Sequence, residues 1–129
     1  MTADGTDRVE ILRRVADGFN RHDADAIMGA FSDDCVFESP RGPDPWGTRF
    51  TGAAAVRSAF EARFSGIPDV HYGDDQHFAC GDRGVSEWTL TGTTTDGVRI
   101  EVRGCDLWTF DADGRIIRKD SFWKIRDPS

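Results

Sequence analysis

The hydrophobic period of this chain changes once, at Val70, and that change limits the folds open to it. Before Val70, apolar side chains recur at three- and four-residue spacing. After it they alternate at two, over Val70–Ala79, Val85–Thr94, Val98–Phe110 and Ile116–Ile125. Asp96-Gly97 and the run Asp111-Ala112-Asp113-Gly114 are strong hairpin signals between these segments, and Cys80–Gly84 supplies a third turn. Four strands in succession form an antiparallel meander that buries one face, and the helical half of the chain is available to cover it. The pattern is α+β, with three helices followed by a sheet.

The helical half divides at its breakers. Asp7 followed by Glu10 forms a capping box that opens a helix with Val9, Leu12, Val15, Ala16 and Phe19 on one side. That helix ends near Asn20-Arg21-His22. Asp23 starts a shorter one burying Ile27, Ala30 and Phe31, which Ser32-Asp33-Asp34 breaks, and Cys35–Glu38 reads as a short strand. Ser39–Gly47 holds three of the five prolines and reads as a loop carrying Trp46. Thr51 or Gly52 introduces a third helix with Val56, Phe60 and Phe64 at four-residue spacing, stopped by Pro68.

Residues 1–129 form one domain, with no repeat, linker or low-complexity segment. A net charge of −7, with no run of Lys and Arg, argues against nucleic-acid and acidic-membrane partners. The N-terminus lacks the regions of a signal peptide, and no apolar run approaches ~20 residues. Three widely spaced cysteines, Cys35, Cys80 and Cys105, suggest neither a disulfide framework nor a CxxC site, and are expected as buried or unreactive thiols in a reducing compartment. These features lead to the expectation of a soluble cytoplasmic protein.

Within Val98–Phe110, one face carries Val98, Ile100, Val102, Gly104, Asp106, Trp108 and Phe110. Asp106 is the one carboxylate on that apolar face. If the face is buried, desolvation raises its pKa, and it can donate a proton or hold a developing oxyanion. The alternative is an Asp at a bend beside Gly104, satisfied by backbone donors.

The order of elements, with FNRHDADAIMGAFSDDCVFESPRG, the Gly52–Phe64 helix and GCDLWTFDADGRIIRKDSFWK, resembles the SnoaL-like and ketosteroid-isomerase-like branch of the nuclear-transport-factor-2 superfamily, from about Val9 to Lys124. The resemblance implies an NTF2-like cone: a curved antiparallel sheet wrapped around three helices, with a pocket between them and a homodimer formed through the outer sheet face. It implies that Asp106 matches the position where ketosteroid isomerases keep a protonated Asp. The isomerase's general base falls on Ser39, with Glu38 beside it, and its oxyanion Tyr falls on Val15, so one of three catalytic positions is retained. The acid/base Asp of SnoaL-type cyclases falls nearest Lys124, with Asp120 some residues earlier. A limonene-type epoxide hydrolase needs an Arg between two carboxylates, and Arg103 has the opposite parity to Asp106.

The resemblance turns Lys119, Ser121 and Trp123 inward on the last strand. A bulge at Gly114 would instead turn in Arg118, Asp120 and Phe122. The first register is preferred, because it buries Trp123 and leaves two charges outside. In it Lys119 lies near Asp106, and an ion pair there keeps Asp106 ionised, the opposite of the protonated donor. Glu38 is a candidate replacement base whose parity on a short strand points it outward, and His71 is a candidate general acid. His71 and His77, six residues apart on one strand, share a face ~20 Å apart, too far to share a metal. No cluster has ligand spacing, and neither metal nor cofactor is expected. The candidate ligand contacts are Trp46, Phe60, Trp108, Ser121 and Trp123, with Trp46 as a lid and Trp88 as core packing. Glu87, outside, meets solvent or a dimer partner.

Two functions remain open. One is a cofactor-independent isomerase, cyclase or dehydratase, moving a proton next to the carbonyl of a small hydrophobic substrate. The other is a ligand-binding or interaction module that kept the cone and lost the chemistry.

Overall fold

Helix α1 (Gly5–Asn20) places Leu12, Val15 and Phe19 on one side, and all three are buried. The computed structural model describes residues 5–127, with side chains from residue 7 onward. Asp7 lies inside the first turn of α1 and not at its cap, near the positive end of the helix dipole. His22 turns the chain with a φ of 54°, and Asp23 caps α2 (Ala24–Met28) by accepting from the Ala26 N–H at 3.1 Å. Helix α2 is shorter than its apolar spacing suggests. Phe31 belongs to the next strand, because it pairs with Ile116, whose N–H bonds the Ala30 carbonyl at 2.9 Å.

Strand β1 (Phe31–Asp44) departs furthest from the sequence reading. It absorbs Ser32-Asp33-Asp34 and most of the proline-rich run, turns at Pro45-Trp46 and returns as β2 (Gly47–Thr51). Ser39 pairs with Thr48 while Asp44 pairs with Gly47. The ladder is therefore already irregular where Pro40 and Pro43 sit, and their missing N–H groups break no regular pairing. Gly47 has a φ of 79°, and a side chain there would meet the Ser39 carbonyl at 1.9 Å. Helix α3 (Ala53–Gly66) follows, with Val56 and Phe60 buried and Phe64 half-buried.

Strands β3 (His71–Cys80), β4 (Arg83–Thr93), β5 (Arg99–Phe110) and β6 (Ile116–Trp123) form the expected meander. The six strands lie in the order β2-β1-β6-β5-β4-β3, as a curved, unclosed sheet. One neighbour pair is parallel: β1 runs beside β6, with Phe37 opposite Lys119 and Glu38 opposite Asp120. The sheet is thus mixed, because the connection between those strands passes through α3 and the rest of the meander.

Two strands carry an extra residue. In β3, Gly73 pairs with Thr89 but Gln76 with Glu87, and Asp74 adopts a φ of 49°. In β6, Arg118 pairs with Thr109 but Ile116 with Phe110, leaving Ile117 as the extra residue. Each bulge inverts the inward–outward phase of its strand.

The main core gathers α1, α2, α3 and the inner sheet face around Phe60, whose ring meets Phe19 at 4.9 Å and Phe31 at 5.7 Å. A second cluster joins Ile67, Val70, Trp88 and Leu90. Each large apolar side chain buried this way contributes about 1.5–3 kcal/mol before entropy. Burial pushes the Cys35 and Cys105 thiols up, whereas Cys80, expected as buried or unreactive, is exposed. Among the described residues no helix is long and apolar enough to cross a membrane.

Candidate functional site

The inner face of β5 is buried over its C-terminal half, at Asp106, Trp108 and Phe110, while Val98, just before the strand, is 55% exposed. Gly104 leaves room for Trp88 to lie across β5, since a Cβ there would fall 2.5 Å from the indole. The Trp88 indole N–H then donates to Asp106 Oδ2 at 2.8 Å. Across the β5–β6 ladder, Ser121 is opposite Asp106 and Lys119 opposite Trp108. The Ile117 bulge lets both Ile116 and Lys119 face inward, giving the register with Lys119, Ser121 and Trp123 on the inner side.

These groups form one hydrogen-bonded cluster. Lys119 Nζ donates to Asp106 Oδ1 at 2.9 Å and to Ser121 Oγ at 2.7 Å, and the Ser121 hydroxyl donates in turn to Asp106 Oδ1. Asp106, Lys119 and Ser121 are all about 5% exposed or less. Every partner of Asp106 is a donor, so its carboxyl group acts as an acceptor on both oxygens. The bend-and-backbone arrangement is not adopted; side chains satisfy it.

The rings of Phe37 at 4.8 Å, Phe19 at 5.2 Å, Trp108 at 5.5 Å and Phe60 at 5.7 Å surround the ammonium of Lys119. Burial dominates this group and pulls its pKa below that of an ordinary lysine, against the attraction of Asp106. Burial also pushes the Tyr72 phenol upward, above the ordinary tyrosine range.

A second polar chain faces the same interior. Ser86 is opposite Asp106 on β4. Its Oγ accepts from the Trp108 indole N–H at 2.9 Å and meets His77 Nδ1 at 2.7 Å, while His77 Nε2 meets Asp75 Oδ2 at 2.7 Å. The Asp75 carboxylate can only accept, which assigns a proton to His77 Nε2. A cavity of about 20 Å³, room for about one water, lies among Asp106, Lys119, Ser86 and His77. Another of about 30 Å³ touches Lys119 and Ser121 from the side of α3. The latter shares Phe37, Pro40, Ala59, Arg63 and Trp123 with a groove of about 620 Å³ between α3, the β1–β2 hairpin and the ends of β5 and β6.

The structure separates three expected site residues from this cluster. His71 does not share a face with His77, because the Asp74 bulge turns His71 outward, where it is exposed, and His77 inward. Glu38 points to the outer face, as its parity indicated, but both of its oxygens are held. Arg49 takes Oε2 at 2.7 and 2.9 Å, and Arg118 takes Oε1 with its Nε at 2.8 Å. Burial works to raise the Glu38 carboxyl, yet the two guanidinium forks outweigh it and hold it below the usual range. Arg118 also approaches Asp120 at 3.5 Å, so the arginine between two carboxylates sought at Arg103 occurs at Arg118, on the outer side of β6. Burial and Glu38 in turn raise the Asp120 carboxyl. Trp46 is 43% exposed at the hairpin turn, under the Arg49 guanidinium at 4.4 Å, and lines neither the groove nor the two cavities. It borders instead a separate groove of about 320 Å³, which it shares with Pro40, Ser121 and Trp123.

Phe60 and Trp108 are core residues that also form the Lys119 enclosure, and Trp123 borders the groove. Sequence reasoning missed the Trp88 donor and the Ser86–His77–Asp75 chain. The signal for His77 was the run Gly73-Asp74-Asp75, poor strand formers in the middle of a strand, which marks a bulge. Among the described residues no three His, Cys, Asp or Glu side chains are placed to hold a metal.

The family model for the SnoaL-like domain matches residues 12–119. This chain belongs to the SnoaL-like domain family. An NTF2-like protein of unknown function from Mesorhizobium loti is 30% identical, covering 92% of this chain and 91% of its own, with a TM-score of 0.75. A polyketide cyclase, so described provisionally, from Xanthomonas campestris pv. campestris is 20% identical over 95% of this chain and 93% of its own, with a TM-score of 0.82. An epoxide hydrolase/cyclase-like enzyme of pyran ring formation in the polyether salinomycin is 23% identical over 93% of this chain and 92% of its own, at a TM-score of 0.77. No curated protein matches the sequence.

Proposed function

We propose that this SnoaL-like protein is a proton-transfer enzyme of the isomerase or cyclase kind, acting without a cofactor on a small hydrophobic carbonyl compound. The observation that carries this reading is the buried Asp106–Lys119–Ser121 cluster at the inner end of an apolar groove. Membership of the SnoaL-like family and the likeness to cyclase-type enzymes support it at the level of reaction class.

A carbonyl oxygen entering past Trp123 meets Lys119 and Ser121 first, since both line the groove-side cavity. Turning their donors onto that oxygen stabilises the negative charge that develops there and releases Asp106 Oδ1. The freed carboxylate takes the proton from the neighbouring carbon and returns it elsewhere, while Trp88 holds Oδ2. Lys119 Nζ and Asp106 Oδ1 form a buried pair at 2.9 Å. Of the two roles Asp106 could fill, base or protonated donor, its three donor partners favour the base.

Deuterium exchange next to the carbonyl of 2-tetralone, followed by NMR in D2O, tests the reading. Wild type should exceed buffer, and Asp106→Asn should lose about 10²–10⁴-fold of that excess while remaining folded. Exchange unchanged in Asp106→Asn ends the proposal.

One observation favours the second reading, a ligand-binding module: the space beside Asp106 holds about one water. In that case 2-tetralone binds the groove without exchange above buffer. Self-association through the outer sheet face is part of the proposed reading. Phe78 and Phe122, 51% and 48% exposed there, supply apolar surface for it.

A further inference from the structure

The groove at the mouth of the cone is apolar along most of its wall, with a row of small residues from α3, Ala55, Ser58, Ala59 and Ala62, on one side. Its charged lining residues are Arg41 and Arg63, both cationic, in a chain whose net charge is −7. Arg63 projects from the last turn of α3, and its guanidinium carbon lies over the Trp123 ring, 4.7 Å from its centroid. No acidic side chain pairs with it among the described residues, and its charge is close enough to act on both Lys119 and Tyr72. A half-buried guanidinium resting on an indole, with its in-plane N–H donors not used by any acidic side chain among the described residues, has the donor geometry that suits an oxyanion. It stands where the groove narrows to the cavity at Lys119.

We infer that the groove takes an apolar compound bearing a carboxylate, with Arg63 as the residue that binds the carboxylate and so selects the substrate. A single guanidinium at the narrowing neutralises one negative charge, which suits a carboxylate better than a phosphate dianion. The apolar body lies along the small residues of α3, and Trp123 forms the floor beneath the salt bridge. This inference rests on the proton-transfer reading for what happens deeper in the cone, but the headgroup site is separable from that chemistry.

Calorimetric titration with 2-naphthoate and with 2-acetonaphthone, a neutral ketone of nearly the same shape, tests it. Wild type should bind the carboxylate about tenfold or more tightly than the ketone at low salt. Arg63→Met keeps an apolar stem over Trp123 and should abolish that preference, weakening naphthoate about tenfold while shifting the ketone less than about twofold. Arg63→Lys should restore part of the preference. Asp106→Asn should leave it intact, so a failure of the chemistry and a failure of the headgroup site read out separately. Equal affinity of wild type for both probes, an equal loss of both in Arg63→Met, loss of the preference in Arg41→Met instead, or binding of neither probe at about 1 mM would each overturn the assignment.

Discussion

Asp106→Asn isolates the energetics of the ion pair at the centre of the cone. The substitution keeps the size of the side chain and an acceptor for Trp88 but removes the charge that balances Lys119. Lys119 Nζ is then a buried cation whose neighbours are aromatic rings and one hydroxyl. Breaking one side of a buried pair costs about 3–5 kcal/mol, a large part of the roughly 5–15 kcal/mol that holds a domain together. Part of that cost is escaped by deprotonation. The lysine pKa, already below its ordinary 10.5, falls further once the opposing attraction of Asp106 is gone. A base with a lowered folded pKa binds fewer protons folded than unfolded. Stability is therefore fully present above 10.5 and is lost as pH falls through the folded pKa, by at most about 1.4 kcal/mol per pH unit. Asp106→Asn should accordingly be weakest near neutrality and regain stability relative to wild type as the pH rises into the lysine's window. Urea unfolding followed by far-UV circular dichroism, at about pH 7 and about pH 9.5, measures this. Adding Lys119→Met removes the stranded cation and should recover most of the loss at neutral pH. A deficit below about 1 kcal/mol at both pH values, or a double variant no more stable than Asp106→Asn, would refute the argument from burial.

Two further substitutions test the supports of the site. Glu38→Gln should cost about 2 kcal/mol near neutrality, by loosening two arginine forks on the outer face. Because the Glu38 pKa is lowered in the fold, the wild-type advantage is present above the ordinary 4.5 and should vanish as pH falls through the lowered value, which acid titration of unfolding free energy reads directly. Gly104→Ala should displace Trp88, whose indole sits 2.5 Å from the new Cβ position. It should cost about 1–3 kcal/mol and change tryptophan emission, whereas unaltered emission would mean that Trp88 does not depend on that gap.

What the sequence made legible, it did through periodicity. Leu12, Val15 and Phe19 announced α1, Val56 and Phe60 announced α3, and the alternation from Val70 onward announced the meander, because each pattern had a buried face to match. Asp106 stood out for the same reason, as one carboxylate in an apolar row. The parallel pairing of β1 with β6 had no such signal, since it joins segments eighty residues apart and follows from how the sheet closes over the helices. Pro40, Pro43 and Pro45 spoke against strand, and the chain satisfies them by an irregular edge hairpin. Arg63 gave no signal either. On a helical wheel it is one more charged residue, and its meaning comes from the indole of Trp123 and, among the described residues, the absence of an acidic partner.

The remaining misreading concerns the phase of β3, whereas the inward set expected on β6, Lys119, Ser121 and Trp123, is the observed one; both strands reach their phase through an extra residue where the site is built. An uninterrupted β3 would put Tyr72 and His77 on opposite faces. The extra residue at Asp74 puts both inward, at the cost of a left-handed backbone for a non-glycine residue. An uninterrupted β6 starting from buried Ile116 would turn Arg118 and Asp120 into the cone and send Lys119 out. The extra residue at Ile117 reverses that. Both insertions give up regular ladder pairing, and each delivers a titratable side chain to the same small interior space. Lys119 gains Asp106 and four rings; His77 gains Ser86 and Asp75. A sheet selected for stability alone would have kept its alternation and filled the cone with apolar side chains, since a buried pair of this kind is often matched or exceeded by hydrophobic packing. Local irregularity that repeatedly places polar groups at one point is better explained by what those groups do there.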